Sequence, residues 1–211
     1  MSCRRGGAGW PGCRNECGWT LVELLVGLAV LALLATLSLP SLAGSVRHYR
    51  LESITRELAL EMQAARWRAL GGGTYTGLKF TGGAAGELSW VMVRDGDGDG
   101  LRSVDLRDGT DVAVAPEMRL ADRAPGIRAG ILSDRRVPRI PPQSGWLDRP
   151  EDPIRFGSAD LVSFAPGGSA TPGSLYLTDG GRMTAVVVNG VTGRLRLFRL
   201  AEREDNWKEL Q

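Results

Sequence analysis

The chain has 211 residues, with 26 lysines and arginines against 24 acidic residues, one histidine and three cysteines. With 43% hydrophobic residues, its composition is that of a folded protein and excludes a wholly disordered chain. The formal charge of +2 is too small to indicate nucleic-acid binding by itself. Three cysteines in a chain of this length exclude a disulfide-dense scaffold.

The cysteines lie together at the start of the chain, at Cys3, Cys13 and Cys17. The spacing of Cys13 and Cys17 is loosely that of a metal site, but no histidine lies nearby. The surrounding segment is rich in glycine, which favours a removable leader over a folded metal site.

A long apolar run follows this segment. Residues 24–39 carry no charge, and extension back to Trp19 adds a single charged residue, Glu23. A helix needs about 20 apolar residues to cross a bilayer, so residues 19–39 are long enough. Three arginines precede the run, which places the N-terminus in the cytoplasm and the rest of the chain outside it. Ordinary signal cleavage at residues 41–43 (Ser-Leu-Ala) stays open as an alternative.

Glu23 has two interpretations. A carboxylate within the hydrocarbon is costly unless it is paired, so Glu23 is a candidate functional residue. Alternatively, Glu23 lies at the level of the lipid headgroups and is simply solvated. The cost of the charge alone does not separate the two interpretations.

Residues 18–40, GWTLVELLVGLAVLALLATLSLP, resemble the leader and N-terminal helix of type IV pilins and type II secretion pseudopilins. They depart from that family at Trp19, where phenylalanine is usual. The resemblance implies that a prepilin peptidase cuts between Gly18 and Trp19 and methylates the new amine of Trp19. It also implies that Glu23 pairs with the N-terminal amine of a neighbouring subunit, since close pairing offsets the desolvation of both charges. Glu23 would then be an assembly residue.

Beyond Pro40, which should kink the helix, an amphipathic helical pattern continues to the glycines at 71–73. Its apolar face consists of Leu51, Ile54, Leu58, Met62, Ala65 and Ala69. Short strands bounded by Gly, Pro or Asp are then predicted. They span 75–80, 88–93, 111–115, 161–164, 174–177 and 184–188, and residues 194–200 pair back on the last as a hairpin. Residues 122–153 are rich in Pro, Arg and Gly and predict a long loop.

The last third resembles the C-terminal region of the GspH/FimT branch of minor pilins and pseudopilins. The matching pieces are Phe164-x-Pro166-x-Gly168, the strand at 173–177 and the sequence Gly193-Arg194-Leu195-Arg196. The resemblance implies a β-sheet sandwich packed against the helix. The expected fold class is therefore α+β, with a long N-terminal helix, transmembrane and then amphipathic, packed on an antiparallel β-sheet or sandwich head. The expected segments are a cleaved leader (1–18), a transmembrane helix (19–40), its amphipathic continuation (41–70) and a periplasmic head (71–211), with a long loop from about 121 to 153.

The sequence DGDGDG at residues 95–100 predicts a candidate Ca²⁺ site. Asp95, Asp97 and Asp99 occupy positions 1, 3 and 5 of a calcium loop, and the glycine at position 6 allows its sharp turn. The twelfth position should be Glu but is Leu106, and Asp105 lies one residue earlier. The alternative is a solvated acidic turn between two strands.

Arg194, Arg196 and Arg199 lie on the last predicted strand and form a candidate phosphate or DNA site. Because side chains alternate along a strand, Arg194 and Arg196 share a face while Leu195 and Leu197 face the core. The resemblance supports DNA as a partner, since FimT-like pilins of competent bacteria bind DNA through a similar Gly-Arg-x-Arg stretch. The alternative is an ordinary polar outer face.

Enzymatic interpretations find little support. After residue 17 there is no cysteine, His48 is the only histidine, and no nucleophile elbow, phosphate-binding loop or zinc-protease motif occurs. His48 is expected to be a solvated interface residue. We expect no enzyme activity. A third and weaker class is a signal-anchored periplasmic enzyme.

The expected function is that of a minor pseudopilin of a type II secretion pseudopilus, which contributes to protein export. The alternative is a FimT-like minor type IV pilin that binds DNA in natural transformation. The expected partners are other pilin or pseudopilin subunits, the prepilin peptidase and the inner membrane, which the chain crosses once with its head in the periplasm. Removal of residues 1–18 would leave 23 basic and 23 acidic residues and no cysteine, so any DNA affinity must come from a local arginine patch.

Overall fold

The computed structural model describes residues 20–202 and 204–210, with the backbone alone for residues 35–45 and 84. The chain divides into two compact units, residues 1–43 and residues 44–211. The predicted leader, with Gly18, Trp19 and the three cysteines, lies outside the described residues.

The first element is helix α1, Leu21–Gly72. In the first unit its described apolar side chains are solvent-exposed, from 50% for Val30 to 76% for Leu21. Within the described part of the chain, no helix is both long and apolar enough to cross a membrane. The helix ends where the glycine run predicted, and Gly73 follows with the positive φ that glycine readily adopts.

The rest of the second unit is built mainly from short strands. The elements are β1 (Thr76–Gly82), a 3₁₀ turn (Ala84–Gly86), β2 (Leu88–Arg94), α2 (Ser103–Asp108), β3 (Val112–Ala113), β4 (Met118–Arg119), α3 (Leu120–Arg123), β5 (Arg128–Ala129), β6 (Ile154–Arg155), β7 (Leu161–Phe164), β8 (Gly173–Thr178), β9 (Met183–Val188), β10 (Leu195–Leu200) and β11 (Lys208–Leu210). All described strand pairs are antiparallel.

The strands form two sheets. The first has the order β3-β2-β1-β7, with β4 also paired to β2. The second has the order β11-β10-β9-β8-β5, with β6 also paired to β8. The predicted α+β class, a helix followed by antiparallel sheets, is therefore confirmed. The predicted terminal hairpin is also confirmed, with Arg196 opposite Val187.

One main core joins the helix to both sheets. The predicted helix stripe is fully buried in it and packs with residues of β1, β2 and β7 from the first sheet and of β8 and β9 from the second. Phe80 of β1 stacks on Phe156, with ring centroids 5.7 Å apart. Leu195 and Leu197 of β10 pack against this core, as their alternation predicted.

A second, smaller core covers the opposite face of the second sheet. Tyr176, Phe198 and Leu200 point away from the helix and pack against a segment that we call the cover segment, residues 131–147. The indole nitrogen of Trp207 donates to the carbonyl of Pro138 at 2.8 Å, so the cover segment is also tied to the chain just before β11. The region predicted as a long loop thus carries β5 and buries one face of a sheet.

Candidate functional site

The start of helix α1 contains Glu23, the predicted assembly residue. The hydroxyl of Thr20 accepts a hydrogen bond from the backbone N–H of Glu23 at 3.3 Å. Thr20 and Glu23 have the spacing of a capping box, and an acidic residue in the first turn is favourable at the positive end of the helix. The Glu23 residue is exposed. The structure therefore places its carboxylate where a partner outside this chain can reach it.

Within the second unit, the face of α1 that points away from the sheets carries three exposed large apolar side chains. Tyr49 is 74% exposed, Leu60 69% and Trp67 62%. These residues recur at the spacing of one helix face, and we call them the outer stripe. Large apolar side chains exposed on one face of a helix form a candidate interaction surface.

The inner face of α1 is fastened to the second sheet by polar contacts as well as by the core. The buried hydroxyl of Thr55 donates to the carbonyl of Leu51 at 2.6 Å and lies 2.6 Å from the hydroxyl of Thr184 on β9. Glu52 accepts from Arg199 on β10 at 3.3 Å. Arg199, predicted as a phosphate ligand, thus bridges β10 to the helix.

His48 also belongs to this junction. Its Nε2 lies 3.4 Å from the Glu52 carboxylate, and its side chain is about one-third exposed, at 32%. Arg56 approaches the same carboxylate at 3.2 Å. His48 is thus a partly solvated neighbour of an ion-pair cluster at the junction between helix and sheet.

The predicted calcium loop connects β2 to α2. The structure brings together carboxylate oxygens of Asp95, Asp97 and Asp99, all within 4.8 Å of one another. Asp95 is buried and accepts the backbone N–H groups of Asp97, Gly98 and Gly100 at 2.8–3.1 Å. Burial raises the pKa of the Asp95 carboxyl, but these amides outweigh it and hold the pKa below its ordinary value.

Asp105, the fourth predicted ligand, is not part of that close group. It lies on α2, and its Oδ2 is buried without a hydrogen-bond partner among the described residues. Desolvation raises the pKa of Asp99, and so do Asp97 and Asp105, while Arg102 opposes them. The calcium interpretation stays a prediction.

The role of Asp111 was not predicted from the sequence. This buried residue closes the segment from Asp95 to Asp111, which we call the acidic loop, because its carboxylate accepts the N–H groups of Gly96 at 3.2 Å and Arg102 at 3.1 Å. These two donors lie 15 and 9 residues before Asp111 in the chain, so no local sequence pattern signals them.

The two other predicted phosphate ligands lie near the turn of the β9–β10 hairpin and differ from each other. Arg196 forms a bidentate pair with Glu209 on β11, at 2.7 and 2.8 Å, and stacks over Phe198. This bond is the main cause that lowers the pKa of Glu209 and raises that of Arg196. Arg194 is exposed and forms no hydrogen bond or ion pair through its side chain among the described residues.

A groove of about 530 Å³ opens between the cover segment and the far face of the second sheet. Its floor includes Tyr176, Val187 and Phe198. Four arginines line it, at positions Arg139, Arg155, Arg194 and Arg196, against one carboxylate, Asp148. We call it the basic groove.

Comparison with known proteins adds one finding. Residues 13–39, or 27 of the 211, match the family model described as Prokaryotic N-terminal methylation motif. No curated protein and no solved structure matches the chain. The match indicates a type IV pilin-like protein, either pilin or pseudopilin, that is membrane-anchored, processed by a prepilin peptidase and assembled with other pilin subunits.

Proposed function

We propose that the chain is a minor pseudopilin of the GspH/FimT type, which assembles into a type II secretion pseudopilus and contributes to protein export. A prepilin peptidase cuts between Gly18 and Trp19 and methylates Trp19. The mature chain crosses the inner membrane once through the start of α1 and holds its head in the periplasm. Its work is assembly and contact, and it catalyses no reaction.

The observation that carries the proposal is the outer stripe of α1. The inner face of the same helix segment is buried in the core against the sheets of its own head, whereas the outer stripe points away from them. Burial of one large apolar side chain contributes about 1.5–3 kcal/mol. Burial of these three side chains against a neighbouring molecule would therefore contribute several kcal/mol to the free energy of association. Subunit packing along the helix, as in a pilus-like filament, supplies such a neighbour.

The first experiment tests the leader. The intact mass of protein extracted from membranes should equal that of residues 19–211 with one added methyl group. A mass that retains residues 1–18 would contradict processing at Gly18 and favour the anchored-enzyme class. A Gly18→Arg variant serves as the uncleaved reference.

The second experiment tests Glu23. Glu23→Ala should leave membrane insertion unchanged, because it only makes the apolar segment more apolar. It should impair incorporation into filaments, because the N-terminal amine of the neighbouring subunit loses its partner. Glu61→Ala, on the same helix within the head, is the matched control. Filaments recovered by shearing would be probed for each variant, and normal incorporation of Glu23→Ala would contradict the assembly role of Glu23.

A second candidate function is a FimT-like minor type IV pilin that binds DNA. It is favoured by Arg194, which lines the basic groove, is exposed and forms no side-chain hydrogen bond or ion pair among the described residues. It is disfavoured by the engagement of Arg196 with Glu209 and of Arg199 with Glu52. Salt-sensitive DNA binding that is lost in Arg194→Gln/Arg196→Gln would support it. The absence of a gel shift at low salt would remove it.

Deletion of the gene separates the two placements. A pseudopilin mutant should retain its exported proteins in the periplasm and keep normal transformation. A FimT-like mutant should export normally and lose DNA uptake. Complementation with the intact gene is the control in both cases.

A further inference from the structure

We propose that the basic groove of one copy receives the acidic loop of a second copy, so that heads join in a head-to-tail row. The acidic loop is the connection from Asp95 to Asp111. This inference rests on the proposed function and deepens it, because it names a contact between the globular heads of neighbouring copies within the filament.

The acidic loop carries a strong local charge. Its six aspartates face two arginines, which gives a formal charge of −4. Asp97 and Asp108 are exposed, and neither has an ion-pair partner among the described residues, whereas Asp99 pairs with Arg102. The loop therefore presents uncompensated carboxylates to solvent.

The loop is also fixed in shape before it meets a partner. The buried carboxylates of Asp95 and Asp111 together accept five backbone N–H groups of the loop. A segment held in this way loses little conformational freedom on docking. The loop is thus a ready-made acidic projection.

The basic groove has the opposite charge and a concave shape. Its four arginines and one aspartate give a formal charge of +3, which the Arg196–Glu209 pair reduces to +2. Arg139 and Arg155 both pair with Asp148, at 3.8 and 3.1 Å, whereas the exposed Arg194 forms no ion pair among the described residues. The volume of about 530 Å³ lies within the range of ligand pockets and is large enough for a short turn. An arginine guanidinium can bind one carboxylate through two parallel hydrogen bonds.

The two surfaces belong to different parts of the head. No residue that lines the groove belongs to the acidic loop, and the groove lies on the far face of the second sheet while the loop extends from the first. A second copy must therefore bring the loop to the groove. Because the two patches differ, the contact is heterologous and continues from copy to copy in an open row.

A charge exchange tests the proposal. The processed full chain in detergent would be followed by light scattering at low and high salt, with a chelator present to keep the loop free of divalent cations. Arg194→Glu and Asp97→Lys should each lower the association constant about fivefold or more, because an attraction becomes a repulsion. The chain with both changes should associate as the original does. Arg119→Glu and Asp134→Lys, exposed residues outside both surfaces, are the matched controls.

Loss of association in both single variants, with recovery in the double variant, is the expected result. Asp108→Lys provides a second change in the loop if Asp97→Lys alters its folding. Association that is the same in every variant and insensitive to salt would overturn the contact between groove and loop. Such a result would leave packing along the helix intact, so the proposed filament function is judged separately by the Glu23 experiment.

Discussion

The hydroxyl pair between α1 and β9 allows a sharp test of how the helix is fastened to the head. Thr55 and Thr184 are 0% and 1% exposed, with their hydroxyl oxygens 2.6 Å apart. Thr55→Val leaves the Thr184 hydroxyl buried without a partner, which should cost about 1–3 kcal/mol. Thr184→Val should cost less, about 0.5–1.5 kcal/mol, because Thr55 keeps its bond to the carbonyl of Leu51.

The double variant Thr55→Val/Thr184→Val tests whether the two hydroxyls are energetically coupled. With both hydroxyls replaced by methyl groups of the same shape, both hydrogen bonds are lost but neither side chain keeps an unpaired buried hydroxyl, so the two changes should not add. We expect a coupling energy of about 1–2 kcal/mol in urea unfolding of the detergent-solubilised chain. For a slope of about 2 kcal/mol per molar urea, Thr55→Val alone shifts the midpoint by about 1 M. Thr81→Val on the exposed end of β1 is the control. Strict additivity of the two single changes would refute the reasoning.

Three further predictions concern the head. Gly173→Ala would place a methyl group against the backbone of β6 and should destabilise by about 1–3 kcal/mol, whereas Gly167→Ala enters open space and should have little effect on the urea midpoint. Arg196→Gln should raise the pKa of Glu209 back toward its ordinary value in an NMR titration. Because the pair lowers that pKa in the folded protein, the stabilisation by the pair is present at neutral pH and is lost as the pH falls through the pKa that Glu209 has in the folded protein. An unchanged Glu209 titration would contradict this role. Calorimetry with millimolar Ca²⁺ should show heat that Asp97→Asn abolishes, and the absence of heat removes the calcium prediction.

The strands could be predicted well where composition and alternation agree. Residues 161–164 are strand over the predicted range, and the predicted strands at 88–93, 174–177 and 184–188 differ from β2, β8 and β9 by a residue at one or both ends. Helix α2, Ser103–Asp108, was not predicted, because its six residues are too few to show a helical period and the carboxylate spacing around it also fits a metal loop. Strands of two or three residues, such as β4, β6 and β11, are set by pairing with distant strands rather than by local pattern.

The candidate phosphate site shows a different limit. Parity along β10 already separates Arg199 from Arg194 and Arg196, because residues at odd and even positions face opposite sides of the sheet. The sequence could therefore have placed Arg199 toward the helix. The partners of these arginines, Glu52 and Glu209, lie 147 and 13 residues away from them and depend on the tertiary fold. No local pattern reveals such long-range pairs.

The cover segment has a consequence for the order in which the head opens. It is held by the smaller core and by the bond from Trp207 to Pro138, whereas helix and sheets share the larger core. Segments with fewer buried contacts open at lower free energy than the global transition. We expect the cover segment and β11 to exchange their amide hydrogens as one unit, before β8 and β9 do. If the cover segment and β11 detach while α1 stays packed on the sheets, the far face of the second sheet becomes exposed without global unfolding.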